Sequence, residues 1–347
     1  MKTARHTPWY QRPRFWWPTG VITGLIVGLT LFWLYNPWPS ILLVRAVFSK
    51  SDHNSRQNLE KHTPGMAITL TANQQYEAGN RRALLDVYTP ASTAKDQTLP
   101  VVIWTHGGAW VSGDKSAAAP YFKLLAAQGF AVVSVNYTLA PAKKYPAQLF
   151  ELNKAHAYLV ANAARLHINP DKVFLAGDSA GAHLSAQLAA LITNPDYARE
   201  VGIHPSLKPS QLAGTALFCG IYKVEKLVEV APNVPKILSW GDDQVVWAFS
   251  GTRQKTGPLL QQMSPYYHVT KDFPPTFISG GNGDPLTDHQ SKPLAEKLQH
   301  DGVSVQTLFY ASDHQPSLPH EYQFNLDNGD GQTALKQLIQ FLQARAL

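Results

Sequence analysis

The chain has 347 residues, 44% hydrophobic and 16% charged, enough apolar material for one sizeable core and free of the bias of disordered or fibrous chains. Its formal charge of +6 is local: Lys2, Arg5, Arg12 and Arg14 supply four of the charges with no acidic residue before position 15, leaving +2 elsewhere. No basic stripe with interleaved aromatics is visible, so nucleic acid is not an expected partner, and the single cysteine, Cys219, excludes an intramolecular disulfide or a paired-cysteine metal site.

In chain order, residues 1–14 form a basic N-terminus. From Phe15 to Val44 there is no Asp, Glu, Lys or Arg, a run long enough to cross a bilayer. Trp16, Trp17, Trp33, Tyr35 and Trp38 gather near its ends, where amphipathic rings prefer headgroups. Residues 15–44 therefore read as a single-pass transmembrane signal anchor, with the cations held in the cytoplasm and the rest of the chain outside it, periplasmic in a bacterium. A cleaved signal peptide, giving a secreted protein, is the alternative. No small-x-small cleavage site follows, since NPWPS is bulky and proline-rich. Residues 45–65, ending in the polar SKSDHNSRQNLEKHTPG, read as a juxtamembrane linker.

Residues 66–347 alternate apolar β-branched runs with helical patterns and read as one folded domain. MAITL, RRALLDVYTP, LPVVIWTH, FAVVSVNY, KVFLAGD, LAGTALFCG, PPTFISG and VSVQTLFY are the expected strands. YFKLLAAQ, YPAQLFELNKAHAYLVANAARL, SAGAHLSAQLAALI, LAEKLQHDG and ALKQLIQFLQARAL are the expected helices. The alternation predicts an α/β fold with a mostly parallel sheet and helices on both faces. Residues 222–270 break the rhythm and form either a cap insertion or a surface excursion. Cys219 reads as a buried strand residue.

AGDSAGAHL sets Ser179 between Gly177 and Gly181, after a buried strand and at the start of a helix. A sharp strand-to-helix turn needs small neighbours there, and the helix start offers free amides to a developing oxyanion. His183, one turn further on, reads as structural. HGGAW, residues 106–110, follows another strand, and its adjacent glycines let backbone amides approach a carbonyl.

Together GDSAG and HGGAW resemble the hormone-sensitive-lipase-like and feruloyl-esterase-like branch of the α/β-hydrolases. NYTLAP (136–141) is similar to that branch's NYRLAP, departing at Thr138, and GDPLTD (283–288) to its acid-bearing loop. The resemblance implies an α/β-hydrolase fold with an eight-stranded sheet and ester hydrolysis through an acyl-enzyme, with Ser179 as nucleophile and no cofactor. It implies an oxyanion hole from Gly107, Gly108, Ala109 and Ala180, Ala109 replacing the third glycine of the commoner HGGG. It puts the acid at Asp284, with Asp288 as runner-up. For the base, PHEYQF resembles a PHVWQ-type segment and favours His320, whereas spacing from the last strand favours His314. Small or short-chain esters are the expected substrates. An amidase, formamidase or small-peptide hydrolase on the same triad is the first alternative, and an inactive membrane-tethered binding module the second. The thirteen histidines give no paired spacing on a helix or strand, so no metal is expected. No oligomeric state is assigned.

Overall fold

Apolar runs buried on both faces, set between helical segments, dictate a sheet sandwiched by helices. In the computed structural model, which describes residues 13–227 and 236–346, the strands are β1 (Ile68–Gln75), β2 (Leu84–Pro90), β3 (Leu99–Thr105), β4 (Ala131–Val135), β5 (Ile168–Asp178), β6 (Leu212–Phe218), β7 (Thr276–Gly280) and β8 (Val305–Phe309). They form one sheet in the order β1-β2-β4-β3-β5-β6-β7-β8. β2 pairs antiparallel with β1 and β4, and the remaining ladders are parallel. The helices are α1 (Pro13–Tyr35), α2 (Trp38–Glu60), α3 (Ala119–Ala126), α4 (Ala147–Ala161), α5 (Ala180–Thr193), α6 (Pro195–Val201), α7 (Val224–Leu227), α8 (Lys236–Ser250), α9 (Pro258–Met263), α10 (Lys292–His300) and α11 (Gly329–Ala346).

The period of two along each strand splits the core into two layers. Val101 and Ile103 of β3 join the layer completed by Leu149 of α4, Leu184 of α5 and Leu298 of α10. Val102 and Trp104 join the other, with Phe122 of α3 and Phe341 of α11. This two-sided burial is what the continuous apolar runs predicted.

The N-terminal region differs from its expectation. The apolar run 15–44 is not one helix: it breaks at Asn36 and Pro37, where the Asn36 side chain accepts the Trp38 N–H at 3.0 Å. Pro39 at the start of α2 suits a new helix and cannot continue an old one. No single described helix is long and apolar enough to cross a membrane, while α1 from Gly20 and α2 together, bent by 69°, meet the length and composition of a broken span. The stretch read as a linker is helical to Glu60 and docked on the domain. Ile41 and Leu59 are fully buried, and Arg45 donates to the carbonyls of Val111 (2.7 Å) and Ala140 (3.0 Å). By contrast, the large apolar residues of α1 from Val21 to Tyr35 are exposed. Residues 1–12 of the basic terminus lie outside the described residues, as do 228–235 of the proposed cap. The described part of that cap contains α7, α8 and α9. Phe249 of α8 stacks flat on Trp110, ring centroids 4.6 Å apart, so α8 packs against the HGGAW loop.

Candidate active site

A parallel sheet presents chemistry at the carboxyl ends of its strands, and here the ladder continues beyond those ends. The Ser179 N–H donates to the Phe218 carbonyl (2.9 Å) and the Cys219 N–H to the Ser279 carbonyl (2.8 Å). The turns after β5, β6 and β7 are thereby held on one rim. Ser179 has φ 51° and ψ −121°, a conformation strained for a residue with a side chain and characteristic of a functional turn. A methyl at Gly181 would collide with the Thr105 carbonyl, so only glycine lets α5 start this close to β3.

The HGGAW loop turns on three consecutive positive φ angles: Gly108 (94°), Ala109 (50°) and Trp110 (60°). The Trp110 indole N–H donates to His183 Nδ1 at 3.0 Å, and His183 Nε2–H donates to the Met263 carbonyl at 2.7 Å. His183 is fully buried, and burial lowers its pKa to about 4. It is a neutral strut beneath the loop, in keeping with its structural reading.

One expected oxyanion donor is corrected. The Gly107 N–H is engaged by Asp178 Oδ2 at 2.9 Å, because a buried carboxylate recruits any nearby donor. Among the described backbone hydrogen bonds outside regular elements, none uses the amides of Gly108, Ala109 or Ala180.

The acid and base loops are sewn together. Gly283 N–H donates to the Leu318 carbonyl, and Leu318 N–H to Asn282 Oδ1, both at 2.9 Å. Asp284, its carboxylate fully buried, accepts from His320 Nδ1 at 2.9 Å, while its other oxygen accepts the Leu286 N–H at 2.9 Å. The structure brings His320 to Asp284 and takes His314 elsewhere, to Asp330 at the start of α11 (3.0 Å). Asp288 faces solvent and pairs with Lys292. Burial of the His320 ring disfavours its charged form, but Cys219 and Asp284 outweigh burial and hold its pKa well above the ordinary histidine value.

Sequence reading missed four residues around these loops. Cys219, read as an ordinary strand residue, lies just past β6 with φ 44°, and burial raises its thiol pKa to about 11. It has donor atoms in common reach with Asp284 and His320, within 4.8 Å. Nδ1 of that histidine is committed to Asp284. Asp178 and Glu321, the immediate neighbours of Ser179 and His320, meet each other. Asp242 of α8 feels the charge of His320, and burial raises its carboxyl pKa to about 7. The adjacency of Asp178 and Glu321 to Ser179 and His320 was the one signal in the sequence.

An eight-stranded, mostly parallel sheet with a strained serine at the β5–α5 turn defines an α/β-hydrolase fold. The chain superimposes on esterase B from Lactobacillus rhamnosis with a TM-score of 0.74 at 23% identity, covering 89% of this chain and 96% of that one. Residues 85–298 match the BD-FAE family, and the chain belongs to that family. It is 31% identical over 256 residues to esterase LipQ of Mycobacterium tuberculosis, covering 72% of this chain and 58% of LipQ. It is also 31% identical over 231 residues to carboxylesterase NlhH of the same species, covering 65% of this chain and 66% of NlhH. The matched region thus spans less than two thirds of these relatives' own lengths.

Proposed function

We propose that the chain is a serine hydrolase that cleaves carboxylic esters through an acyl-enzyme. Ser179 is the nucleophile; His320 takes its proton and gives it to the departing alcohol, then takes a proton from the attacking water and returns it to the Ser179 oxygen as the carboxylic acid leaves, while Asp284 fixes the imidazole tautomer and stabilises its charged form. The amides of Gly108, Ala109 and Ala180 hold the tetrahedral oxyanion. The observation that carries this reading is the Asp284–His320 pair at 2.9 Å on the same rim as the strained Ser179 turn. The names of the relatives support ester substrates, and short acyl chains are the first to test. Fluorophosphonate labelling of Ser179, with turnover of a p-nitrophenyl ester chain-length series and matched anilides, tests it. Absence of labelling sinks the reading, and faster anilide than ester cleavage replaces it with an amidase.

The same proposal includes membrane attachment through residues 15–44, with the catalytic domain outside the cytoplasm. The exposed apolar surface of α1 supports it, since so much contiguous apolar area is costly in water. Full-length protein is expected in the membrane fraction after alkaline carbonate washing and a chain starting at residue 38 in the supernatant. Full-length protein in the supernatant would refute the anchor.

A further inference from the structure

Asp178 precedes the nucleophile and Glu321 follows the base, and their carboxyl groups lie within reach of one another beside Gly107. A methyl built on Gly107 would strike Asp178 Oδ2 and lie 3.1 Å from Glu321 Oε1, so both carboxyl groups press on the first residue of the oxyanion loop. Asp178 Oδ1 accepts the Trp104 indole N–H at 2.7 Å and Oδ2 accepts the Gly107 N–H at 2.9 Å. With both Asp178 oxygens serving as acceptors, a hydrogen bond between the two carboxyl groups requires a proton carried by Glu321. Glu321 stands at φ 60°, a left-handed position unusual for glutamate, which shows that the loop gives up backbone comfort to aim this side chain inward.

We propose that the Asp178–Glu321 carboxyl pair is a proton-dependent latch that positions the base loop and the oxyanion loop against the nucleophile turn. Three hydrogen bonds converge on one buried carboxylate and tie together β3, the HGGAW loop, the β5–α5 turn and the loop bearing His320. Loss of the shared proton puts two negative charges face to face in a setting with little water to screen them. The loop carrying His320 then moves away from Ser179. Glu321 is a positioning residue: it acts on the reaction through His320 and Gly107.

The surroundings leave the pair to govern itself. It borders a cavity of about 30 Å³, room for about one or two water molecules. The other titratable group lining that cavity is His106, which burial keeps neutral with a pKa of about 4. His320, on the Glu321 loop, and the buried Tyr137 phenol are the remaining groups whose charge reaches Asp178. Burial pushes the Asp178 carboxyl upward, the direction that favours a proton kept on the pair.

The kinetic part of this inference rests on the esterase reading, and the spectroscopic part does not. Glu321→Gln replaces the acid O–H with an amide N–H that donates at any pH, and Glu321→Ala removes the latch. Wild type is expected to lose kcat at alkaline pH. Glu321→Gln loses that alkaline fall, and Glu321→Ala has kcat reduced up to about 100-fold at all pH values. The infrared difference spectrum of wild type minus Glu321→Gln at neutral pH is expected to contain the carbonyl band of a protonated carboxylic acid, with any band from Asp242 cancelled. An absent acid band, or an alkaline fall unchanged in Glu321→Gln, overturns the latch. Fluorophosphonate labelling of wild type separately reports whether Ser179 is the nucleophile. If Glu321→Ala does not fold, the infrared band and the Glu321→Gln profile still decide.

Discussion

Ser179 and the HGGAW loop sit at the ends of central strands, and their positions are imposed by backbone: three consecutive positive φ angles at 108–110, a strained serine and a glycine against the Thr105 carbonyl. Ser179 is 6% exposed. His320, with its side chain 32% exposed, is held by a side-chain partner, Asp284. The nucleophile turn is thus fixed mainly by steric constraint, and the base side by polar, titratable partners. Changes on the nucleophile side should therefore alter rate at every pH, whereas changes on the base side should also alter the pH profile.

Six substitutions sharpen that contrast. The largest effect is expected for Ser179→Ala, a fall in kcat of about 10⁶-fold with an unchanged melting temperature; residual turnover within tenfold of wild type would remove Ser179 from the chemistry. Next comes the histidine pair. His320→Ala should lose about 10⁴- to 10⁶-fold in kcat, and His314→Ala, which severs only the contact with Asp330, less than about tenfold. Equal losses would break the assignment of the base. Asp284→Asn should cost about 10⁴-fold in kcat through the wrong imidazole tautomer, with KM little changed.

Gly181→Ala tests the steric half, since the new methyl meets a backbone carbonyl that cannot rotate away. A destabilisation of about 1–3 kcal/mol, read by denaturant unfolding, should accompany a loss of rate without a change in pH profile. The smallest effect is expected for Cys219→Ser. His320 must be neutral to accept the Ser179 proton, and its raised pKa places the acid limb of kcat/KM above the ordinary histidine value of about 6.5. The Cys219 thiol stays protonated over this range, so the rise rests on the Asp284 carboxylate and Cys219→Ser should leave the limb in place. A limb that moves to lower pH would show that the thiol carries charge beside His320.

Much of this was legible in the chain. The eight strands were each anticipated, the central ones because strands buried on both faces must be continuous apolar runs, with helices intervening between parallel neighbours. Ser179 and the diglycine loop were legible for the same kind of reason: a sharp turn and a close backbone approach restrict which residues can occupy the site, and that restriction is written locally. Asp284 could be placed because it opens the turn after a recognisable strand.

What tertiary structure alone decided were partnerships between residues distant in sequence. Spacing along the chain left His314 and His320 in competition, and it was the stitching of residues 282–283 to Leu318 that delivered one of them to Asp284. Gly107 looked like an oxyanion donor until the fold brought Asp178 to its amide, and Glu321 gained meaning only once packed against that same carboxylate. The break at Asn36–Pro37 follows from local proline chemistry, yet the docking of α2 through Arg45 onto the HGGAW loop depended on carbonyls 66 and 95 residues away. Backbone geometry is encoded where it occurs; hydrogen-bond and charge partners are encoded jointly with whatever the fold places beside them.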